Sequence, residues 1–300
     1  MINNQKKVLI LMTTYNGIEF LNKQIDSIIN QDFTTWNMII SDDNSTDDTF
    51  SILKKYQEAD NRIRVVKNTS GKNGAFENFF GLLNIVKKEY SNYDYYLFCD
   101  QDDIWINSKL STLISIANKE QNNSIPIAYY SDMSIINDED TIKVKSFNSI
   151  NCLKMSSQYV EFFSHRYIWG CTMMFNNCLL NMYNCPINYN LKIISHDNYI
   201  ASYAALYGKL RYIDIPLVMY RRHSNNVSAM VPKYNFIDKI KRALFNWNSI
   251  SLNAAKTYYQ GLAFLKTQPD QYKNRKHKDL EKIITYGGIK SVFFCFYYFI

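Results

Sequence analysis

Short apolar runs rich in β-branched residues alternate with longer amphipathic segments along the first half of this chain. The runs lie at 8–12, 38–42, 63–66, 95–100 and 127–132. The segments between them, which have helical spacing, lie near 17–30, 46–59, 74–89 and 107–120. Strands that alternate with helices in this way form βαβ units. The pattern therefore predicts an α/β fold, with a mostly parallel sheet flanked by helices on both faces.

The composition is that of an ordinary globular protein: 47% of the 300 residues are hydrophobic and 20% are charged. This excludes a disordered chain and a disulfide scaffold. The six cysteines include no C-x-x-C pair, and the first residues lead into no signal-peptide core. We therefore expect a cytoplasmic protein with reduced cysteines and no zinc site.

The net charge of +7 is confined to the end of the chain. Residues 233–290 contain 12 Lys and Arg against 4 Asp and Glu, which leaves 22 against 23 for the rest. A nucleic-acid-binding protein places basic residues on its reading surface, whereas the acids of this chain cluster in its first part. The distribution argues against DNA or RNA binding.

Polar clusters follow the predicted strands, at the sheet edge where open α/β sheets bind ligands. The residues in question are Thr13, Thr14, Tyr15, Asp42, Asp43, Asp100 and Asp102. No G-x-G-x-x-G follows the first run, and Gly71-Lys-Asn-Gly74 has the spacing of neither that motif nor a P-loop. An NAD site and a P-loop are therefore disfavoured.

Three carboxylates occur within four residues at the end of the run at 95–100, at Asp100, Asp102 and Asp103. A divalent cation relieves the repulsion between such neighbours, and hard oxygen ligands suit Mg²⁺ or Mn²⁺ held together with a diphosphate. Asp100 and Asp102, two residues apart, are best placed to act together. The alternative is a solvated acidic turn, and Asp103 could serve only as a helix cap.

A second acidic cluster, Asp42 and Asp43, follows the run at 38–42. One of these carboxylates can accept hydrogen bonds from a pyrimidine imide or from ribose hydroxyls. Thr13 and Tyr15 end the first run, where the aromatic ring can stack on a base. The three strand ends together predict a nucleotide site.

Residues 6–228 resemble glycosyltransferase family 2, which has the GT-A fold. The resemblance lies in Thr13-Thr-Tyr-Asn, Asp42-Asp-Asn-Ser-Thr-Asp and Asp100-Gln-Asp-Asp-Ile-Trp, the last in the form common among rhamnosyltransferase-like members. It implies that Asp43 contacts uracil or thymine, with Asp42 beside it. It also implies that Asp102 is a metal ligand together with Asp100.

The family's catalytic base lies in a Glu-Asp pair that opens a later helix, and the matching segment here is Ser195-His196-Asp197-Asn198-Tyr199. The resemblance makes Asp197 the base. In an inverting displacement one carboxylate deprotonates the acceptor hydroxyl, so no covalent intermediate is required. His196 replaces the usual Glu, and we expect it to pack rather than to react.

The segment from Tyr220 to Ser228 resembles the family's flexible loop over the diphosphate. By this resemblance His223 completes the metal shell. Arg221 and Arg222 either bind phosphate oxygens or form a solvent-facing basic turn. Asn78 either touches the donor or is structural, and the segment 169–171 lines the acceptor side.

These features divide the chain into a GT-A catalytic domain at 1–230 and a basic, aromatic-rich helical tail at 231–300. The nucleotide half of the domain ends at about residue 103, and the acceptor half follows at 104–230. The final apolar run, 292–300, is shorter than the roughly 20 residues of a membrane-spanning helix. The tail either lies on an anionic membrane surface, packs as a helical cap or forms a homodimer contact.

The sequence thus predicts an inverting, metal-dependent glycosyltransferase at the inner face of a bacterial membrane. Its donor would be a dTDP- or UDP-sugar, with rhamnose the first choice, and its acceptor a glycan or lipid-linked glycan of capsule, O-antigen or cell-wall polysaccharide. One alternative is a nucleotidyltransferase of similar fold, which would need a basic triphosphate loop that 13–17 lacks. The other is a non-catalytic glycan-binding subunit.

Overall fold

The computed structural model describes residues 6–69, 71–120, 124–151, 159, 162–163, 168–223 and 247–286. The first half contains β1 (Val8–Thr14), α1 (Leu21–Ile29), β2 (Trp36–Asp42), α2 (Thr49–Ala59), β3 (Ile63–Lys67), α3 (Ala75–Glu89) and β4 (Tyr95–Cys99). Every strand and helix predicted in this half is confirmed, with ends that shift by a few residues.

The second half is less regular. It contains β5 (Ile104–Trp105), α4 (Lys109–Ala117), β6 (Ile127–Ile136), β7 (Ile142–Val144), α5 (Phe147–Asn151), β8 (Met173–Asn176), α6 (Asn177–Met182), α7 (His196–Tyr207) and β9 (Lys209–Arg221). Two further helices, α8 (Trp247–Thr267) and α9 (Arg275–Tyr286), come from the predicted tail.

The described strands form one sheet in the order β3-β2-β1-β4-β8-β6-β9-β5, with β7 on β6. The first four strands are parallel, as predicted. Beyond them β8 runs antiparallel to both β4 and β6, whereas β6 and β9 pair in parallel, so the mostly parallel sheet also contains antiparallel pairs. The sequence gives no sign of this reversal, because a short strand buried on both faces has the same apolar pattern in either direction.

Two hydrophobic clusters cover the two faces of the sheet, and β1 contributes alternate residues to each. Leu9 and Leu11 belong to the cluster that includes α3 and α7. Val8, Ile10 and Met12 belong to the cluster that includes α1 and α4. Burial on both faces explains why the first run is continuously apolar.

The tail helices pack on the body of the protein and share its core. Phe264 of α8 is fully buried. Its ring lies 4.9 Å from that of Tyr203 and 5.5 Å from that of Tyr199, both on α7. Of the roles left open for the tail, the structure shows a helical cap. Residues 231–246 and 287–300, which include much of the predicted basic and aromatic tail, lie outside the described part of the chain.

Among the helices that the structure describes, we find none with the length and apolarity required to cross a bilayer.

Because α8 belongs to the core, we predict that Phe264→Ala lowers the free energy of unfolding by about 3–5 kcal/mol, the usual cost of emptying a buried aromatic site. Urea denaturation followed by fluorescence measures this change. Lys266→Ala, an exposed change on the same helix, should cost less than about 1 kcal/mol. Equal effects of the two substitutions would show that the tail is not part of the folded core.

Candidate active site

A cleft of about 710 Å³ opens where the parallel strands end. It gathers most of the predicted site residues: Thr13, Tyr15, Asp43, Asn78, Asp100, Asp102, Asp197 and His223. Trp169 and Gly170 also line it. Asp42, Arg221 and Arg222 do not contribute to its lining. The convergence follows from the sheet, because the carboxyl ends of β1, β2 and β4 lie side by side.

Asp43 presents a positioned carboxylate to one end of the cleft. Its Oδ1 accepts a hydrogen bond from Asn68 Nδ2 at 2.7 Å, and its Oδ2 accepts one from the backbone N–H of Gly74, also at 2.7 Å. Each carboxylate oxygen has a second lone pair for a ligand donor. The carboxylate is therefore oriented before any ligand arrives.

Asp42, by contrast, is fully buried below this end of the cleft. Its Oδ1 accepts from the hydroxyls of Thr14 at 2.9 Å and Ser45 at 2.6 Å, and its Oδ2 accepts from the backbone N–H of Ser45. Asp42, the last residue of β2, thus bonds to the end of β1 and to the turn that follows its own strand. Of the two aspartates, Asp43 is the one that lines the cleft.

Asn78 lines the cleft, but its amide is engaged in the protein. Its Nδ2 donates to the carbonyl of Ser41 at 2.9 Å, and its Oδ1 accepts from the Ser41 hydroxyl at 2.6 Å. Of the two roles foreseen for Asn78, the structure favours the structural one, in which it ties α3 to β2.

Tyr15 is held at the mouth of the cleft by a residue that the sequence analysis gave no role. Gln101 accepts a hydrogen bond from the Tyr15 N–H at 2.8 Å and donates to the Tyr15 carbonyl at 3.0 Å. The tyrosine side chain itself is 55% exposed. It is therefore available to a flat ligand such as a base.

The acidic motif after β4 divides its carboxylates between two environments. Asp100 and Asp102 line the cleft. Asp103 is fully buried, and its Oδ1 accepts from the backbone N–H of Arg221 at 2.9 Å. Asp103 is therefore not the helix cap considered above, since α4 begins only at Lys109.

Burial and mutual repulsion make this group of carboxylates electrostatically unfavourable. Burial, followed by the charges of Asp102 and Asp197, raises the pKa of Asp100 to about 7. Burial also raises the pKa of Asp103 well above its usual value. His223 Nε2 lies 2.8 Å from Asp102 Oδ2, and this hydrogen bond raises the pKa of the imidazole. A cation beside Asp100 would relieve the repulsion, so these residues fit a divalent metal.

A buried lysine that the sequence analysis did not identify lies beneath the motif. Lys109 Nζ donates to the carbonyl of Cys171 at 2.6 Å and lies 3.5 Å from the centre of the Trp105 ring. Burial lowers its pKa to about 8.

Side-chain ligand atoms of Asp100, Asp103 and Cys171 lie within 4.8 Å of one another. Burial raises the pKa of the Cys171 thiol, which makes it a poor metal ligand.

Arg221 does not reach the cleft as a phosphate ligand. It is fully buried, and its Nε donates to the carbonyl of Asp102 at 2.8 Å. Its other guanidinium nitrogens contact the carbonyl of Asn137 at 2.8 Å and the carboxylate of Asp140 at 2.6 Å. The guanidinium also lies 4.4 Å from the centre of the Phe20 ring. Arg221 therefore braces the backbone of the acidic motif, because it ends a strand that faces the core.

Arg222 is exposed and lies outside the cleft lining. The predicted loop continues through 224–228, which fall outside the described residues. His223 is the member of this segment that the structure brings to the acidic motif.

Asp197, in the first turn of α7, faces the acidic motif across the cleft. Its Oδ2 accepts from the backbone N–H of Gly170 at 2.8 Å. Its Oδ1 accepts from the backbone N–H of Asn198 at 2.6 Å and from Asn198 Nδ2 at 3.0 Å. A carboxylate held at a helix N-terminus in this way has a fixed direction.

His196 lies beside Asp197 and packs, as expected. Its ring stacks on Phe79 with centroids 3.8 Å apart and meets the edge of Phe98 at 4.6 Å. Gly170 permits this approach, because a side chain there would come within 2.9 Å of His196 Nε2. Burial lowers the pKa of the imidazole to about 4, so it is neutral at physiological pH.

The chain matches the family Glycosyl transferase family 2 over residues 9–181, which is more than half of its length. The chain belongs to this family. The dTDP-rhamnosyl transferase RfbG of Shigella flexneri is 31% identical over 228 residues, which cover 72% of each protein. The beta-1,3-glucosyltransferase WfgD of Escherichia coli, whose described acceptor is alpha-D-GlcNAc-diphosphoundecaprenol, is 32% identical over 136 residues, or 45% of this chain and 49% of WfgD.

Solved structures show the same fold in this family 2 glycosyltransferase. Residues 1–349 of Staphylococcus aureus TarS, in complex with UDP-GlcNAc, match 96% of this chain and 89% of that one, with a TM-score of 0.57 at 15% identity. The mannosyltransferase PcManGT of Pyrobaculum calidifontis, in complex with GDP-Man and Mn²⁺, matches 99% of this chain and 74% of that one, with a TM-score of 0.54 at 15% identity. The predicted GT-A fold is confirmed.

The buried imidazole of this glycosyltransferase makes its stability depend on pH. In the unfolded chain a histidine has a pKa of about 6.5. As the pH falls from 7 to 5, the unfolded chain gains a proton at His196 that the folded protein excludes, so folding stability is lost. We predict that the wild type loses about 2 kcal/mol more than His196→Phe over this range.

Urea denaturation of both proteins at pH 7 and pH 5 measures this difference. The phenylalanine keeps the stacking on Phe79, so the comparison isolates the titration of His196. Identical pH dependence of the two proteins would contradict the neutral, buried assignment.

Proposed function

We propose that this chain is an inverting, metal-dependent glycosyltransferase that transfers a sugar from a nucleoside diphosphate-sugar to a glycan or lipid-linked acceptor. The observation that carries the proposal is one cleft that holds a positioned carboxylate at Asp43, a paired acidic motif and an opposing carboxylate at Asp197. The first of these features would bind the nucleobase, the second would bind the diphosphate, and the third would abstract the proton of the acceptor hydroxyl.

The nucleoside would bind at the Asp43 end. The Asp43 carboxylate accepts the imide N–H of a uracil or thymine, and the exposed ring of Tyr15 stacks on the base. Thr13, which also lines the cleft, lies at the end of β1 between this position and the acidic motif. Because a carboxylate only accepts hydrogen bonds, this position suits a base that presents an N–H group, as uracil and thymine do.

The diphosphate would bind beside Asp100 and Asp102, which with His223 would hold Mg²⁺ or Mn²⁺. The bound cation would neutralise charge on the leaving diphosphate. The fit rests on the raised pKa of Asp100 and on the hydrogen bond between His223 and Asp102. PcManGT, which has the same fold, binds Mn²⁺ together with GDP-Man, and this supports a metal at the diphosphate.

Asp197 would act as the base. Its two oxygens are oriented by Gly170 and Asn198, and Oδ2, which accepts a single hydrogen bond from the protein, retains a lone pair for the proton of the acceptor hydroxyl. The hydroxyl oxygen then attacks the anomeric carbon from the face opposite the diphosphate, so the configuration inverts. His196 is neutral and stacked, and takes no proton in this scheme.

We propose rhamnose as the donated sugar, carried as dTDP-rhamnose, because RfbG matches 72% of the chain. UDP-sugars remain the second choice. The acceptor would be a diphosphoundecaprenol-linked glycan, as described for WfgD. The product would enter O-antigen, capsule or cell-wall polysaccharide.

A donor panel tests the proposal. The purified protein is incubated with dTDP- and UDP-sugars, Mg²⁺ or Mn²⁺, and a lipid-linked acceptor, and nucleoside diphosphate release is measured together with the anomeric configuration of the product by NMR. We expect nucleoside diphosphate release and inversion. Pyrophosphate release from a triphosphate would instead indicate a nucleotidyltransferase, and binding without turnover on any donor would indicate a glycan-binding subunit.

We predict that Asp102→Asn lowers kcat by at least about 100-fold, because it withdraws a ligand from the site that stabilises the leaving group. Calorimetric Mn²⁺ binding should weaken in parallel. Asp94→Asn, at the opposite end of β4 and outside the cleft lining, is the matched control and should keep kcat within about threefold. Full turnover of Asp102→Asn in chelator-treated buffer would exclude the metal assignment.

We further propose that the protein docks on the inner face of the membrane through the exposed side of α9. Arg275, Lys276, Lys278 and Lys282 are exposed on this helix, whereas His277, Leu280 and Ile284 pack inward. Each basic residue near an anionic surface contributes about 1 kcal/mol. The described tail thus offers a cationic face in addition to its cap role.

We predict that the triple change Lys276→Glu, Lys278→Glu and Lys282→Glu weakens binding to phosphatidylglycerol-containing vesicles by at least tenfold, since it reverses three attractive charges. Co-sedimentation at several salt concentrations measures it. The matched control reverses Lys55, Lys88 and Lys119, which are exposed elsewhere on the protein. Equal loss in both triple variants would assign binding to net charge rather than to α9.

A further inference from the structure

The inner face of α8 touches the turn that carries the proposed base. Gln260 of α8 is only 5% exposed, and its Oε1 accepts a hydrogen bond from the backbone N–H of Ser195 at 3.0 Å. The Ser195 hydroxyl lies 3.3 Å from the same oxygen. Ser195 immediately precedes α7, so the amide of a residue 65 positions later holds the start of that helix.

A second set of contacts continues from Ser195 to the base. Asn198, 4% exposed, has its Nδ2 3.2 Å from the Ser195 hydroxyl, 2.9 Å from the carbonyl of Ile168 and 3.0 Å from Asp197 Oδ1. The path Gln260–Ser195–Asn198–Asp197 is thus a continuous chain of polar contacts, buried as far as Asn198, that begins in the tail.

The local sequence does not provide an equivalent support. A helix start leaves backbone N–H groups without intrahelical partners, and a Ser at the N-cap position usually satisfies one of them with its own side chain. The Ser195 side chain makes no such cap hydrogen bond. The N-terminal turn of α7 is therefore held from outside at two points, at Ser195 by Gln260 and at Asp197 by the backbone N–H of Gly170.

We propose that Gln260 is a positioning residue for sugar transfer: through Ser195 and Asn198 it sets the direction of the Asp197 carboxylate. The inference rests on the proposed role of Asp197 as the base. Catalysis requires the base to lie within hydrogen-bonding reach of the attacking hydroxyl, and a displacement of about 1 Å can cost roughly 100-fold in rate. The described part of the tail thereby contributes to chemistry although Gln260 does not line the cleft.

The test compares Gln260→Met with Gln268→Met. Both substitutions remove a buried amide of similar size, and Gln268 also bonds α7, since its Nε2 lies 3.2 Å from the Tyr203 hydroxyl. Of these two glutamines, only Gln260 contacts the turn that carries Asp197, the proposed catalytic base. We expect similar losses of thermal stability, but a fall in kcat of about 10- to 100-fold for Gln260→Met alone, with the donor KM within about twofold.

Asn198→Leu interrupts the same chain one step nearer the base and should give the same selective loss of kcat. It therefore keeps the proposal testable if Gln260→Met does not fold. In an Asp197→Asn background, Gln260→Met should have no further effect on kcat, since positioning matters only for a functional base.

The outcomes separate the two proposals. Near-wild-type turnover of Asp197→Asn would overturn the base assignment, and the positioning role with it. A collapse of Asp197→Asn, together with equal kcat values for Gln260→Met and Gln268→Met, would overturn the positioning role alone. A rise in donor KM that matches the loss in kcat would also overturn it, because that pattern indicates a distorted donor site.

Discussion

The crowding of carboxylates at the end of β4 is the constraint on which the rest of the site depends. Asp100, Asp102 and Asp103 would repel one another in any arrangement, and burial increases the penalty. Hydrogen bonds offset part of this penalty: His223 bonds Asp102, and the backbone N–H of Arg221 donates to Asp103. The charge of Asp100, which Lys109 offsets only in part, faces the cleft, where a bound cation would offset the rest.

Two cationic side chains therefore stabilise the acidic motif from the protein core and do not line the cleft. The Arg221 guanidinium holds the carbonyl of Asp102 and the carboxylate of Asp140. Lys109, buried on Trp105, adds positive charge below Asp100. These contacts hold the acidic motif in place before substrate binds. Such preorganisation is what transition-state stabilisation requires.

The two sides of the cleft depend on different parts of the chain. The nucleotide and acidic side is built from local βα turns, each of which follows directly from its strand. The Asp197 side depends on α7, whose outer face is covered by α8 and α9, beyond the family match at 9–181. Gln260 and Gln268 add hydrogen bonds to this apolar packing, one at the start of α7 and one at Tyr203.

The sequence by itself determined the alternation of strands and helices in the first half, the family and the polar residues at the strand ends, because side-chain periodicity is a local property. It therefore placed Asp43, Asp100 and Asp102 together correctly. Only the tertiary structure decided which neighbours turn inward, as Asp42, Asp103 and Arg221 do, because burial depends on what packs against a segment. For the same reason it alone revealed Lys109 and Gln260: each acts on residues far away in the chain, and no local pattern records such a contact.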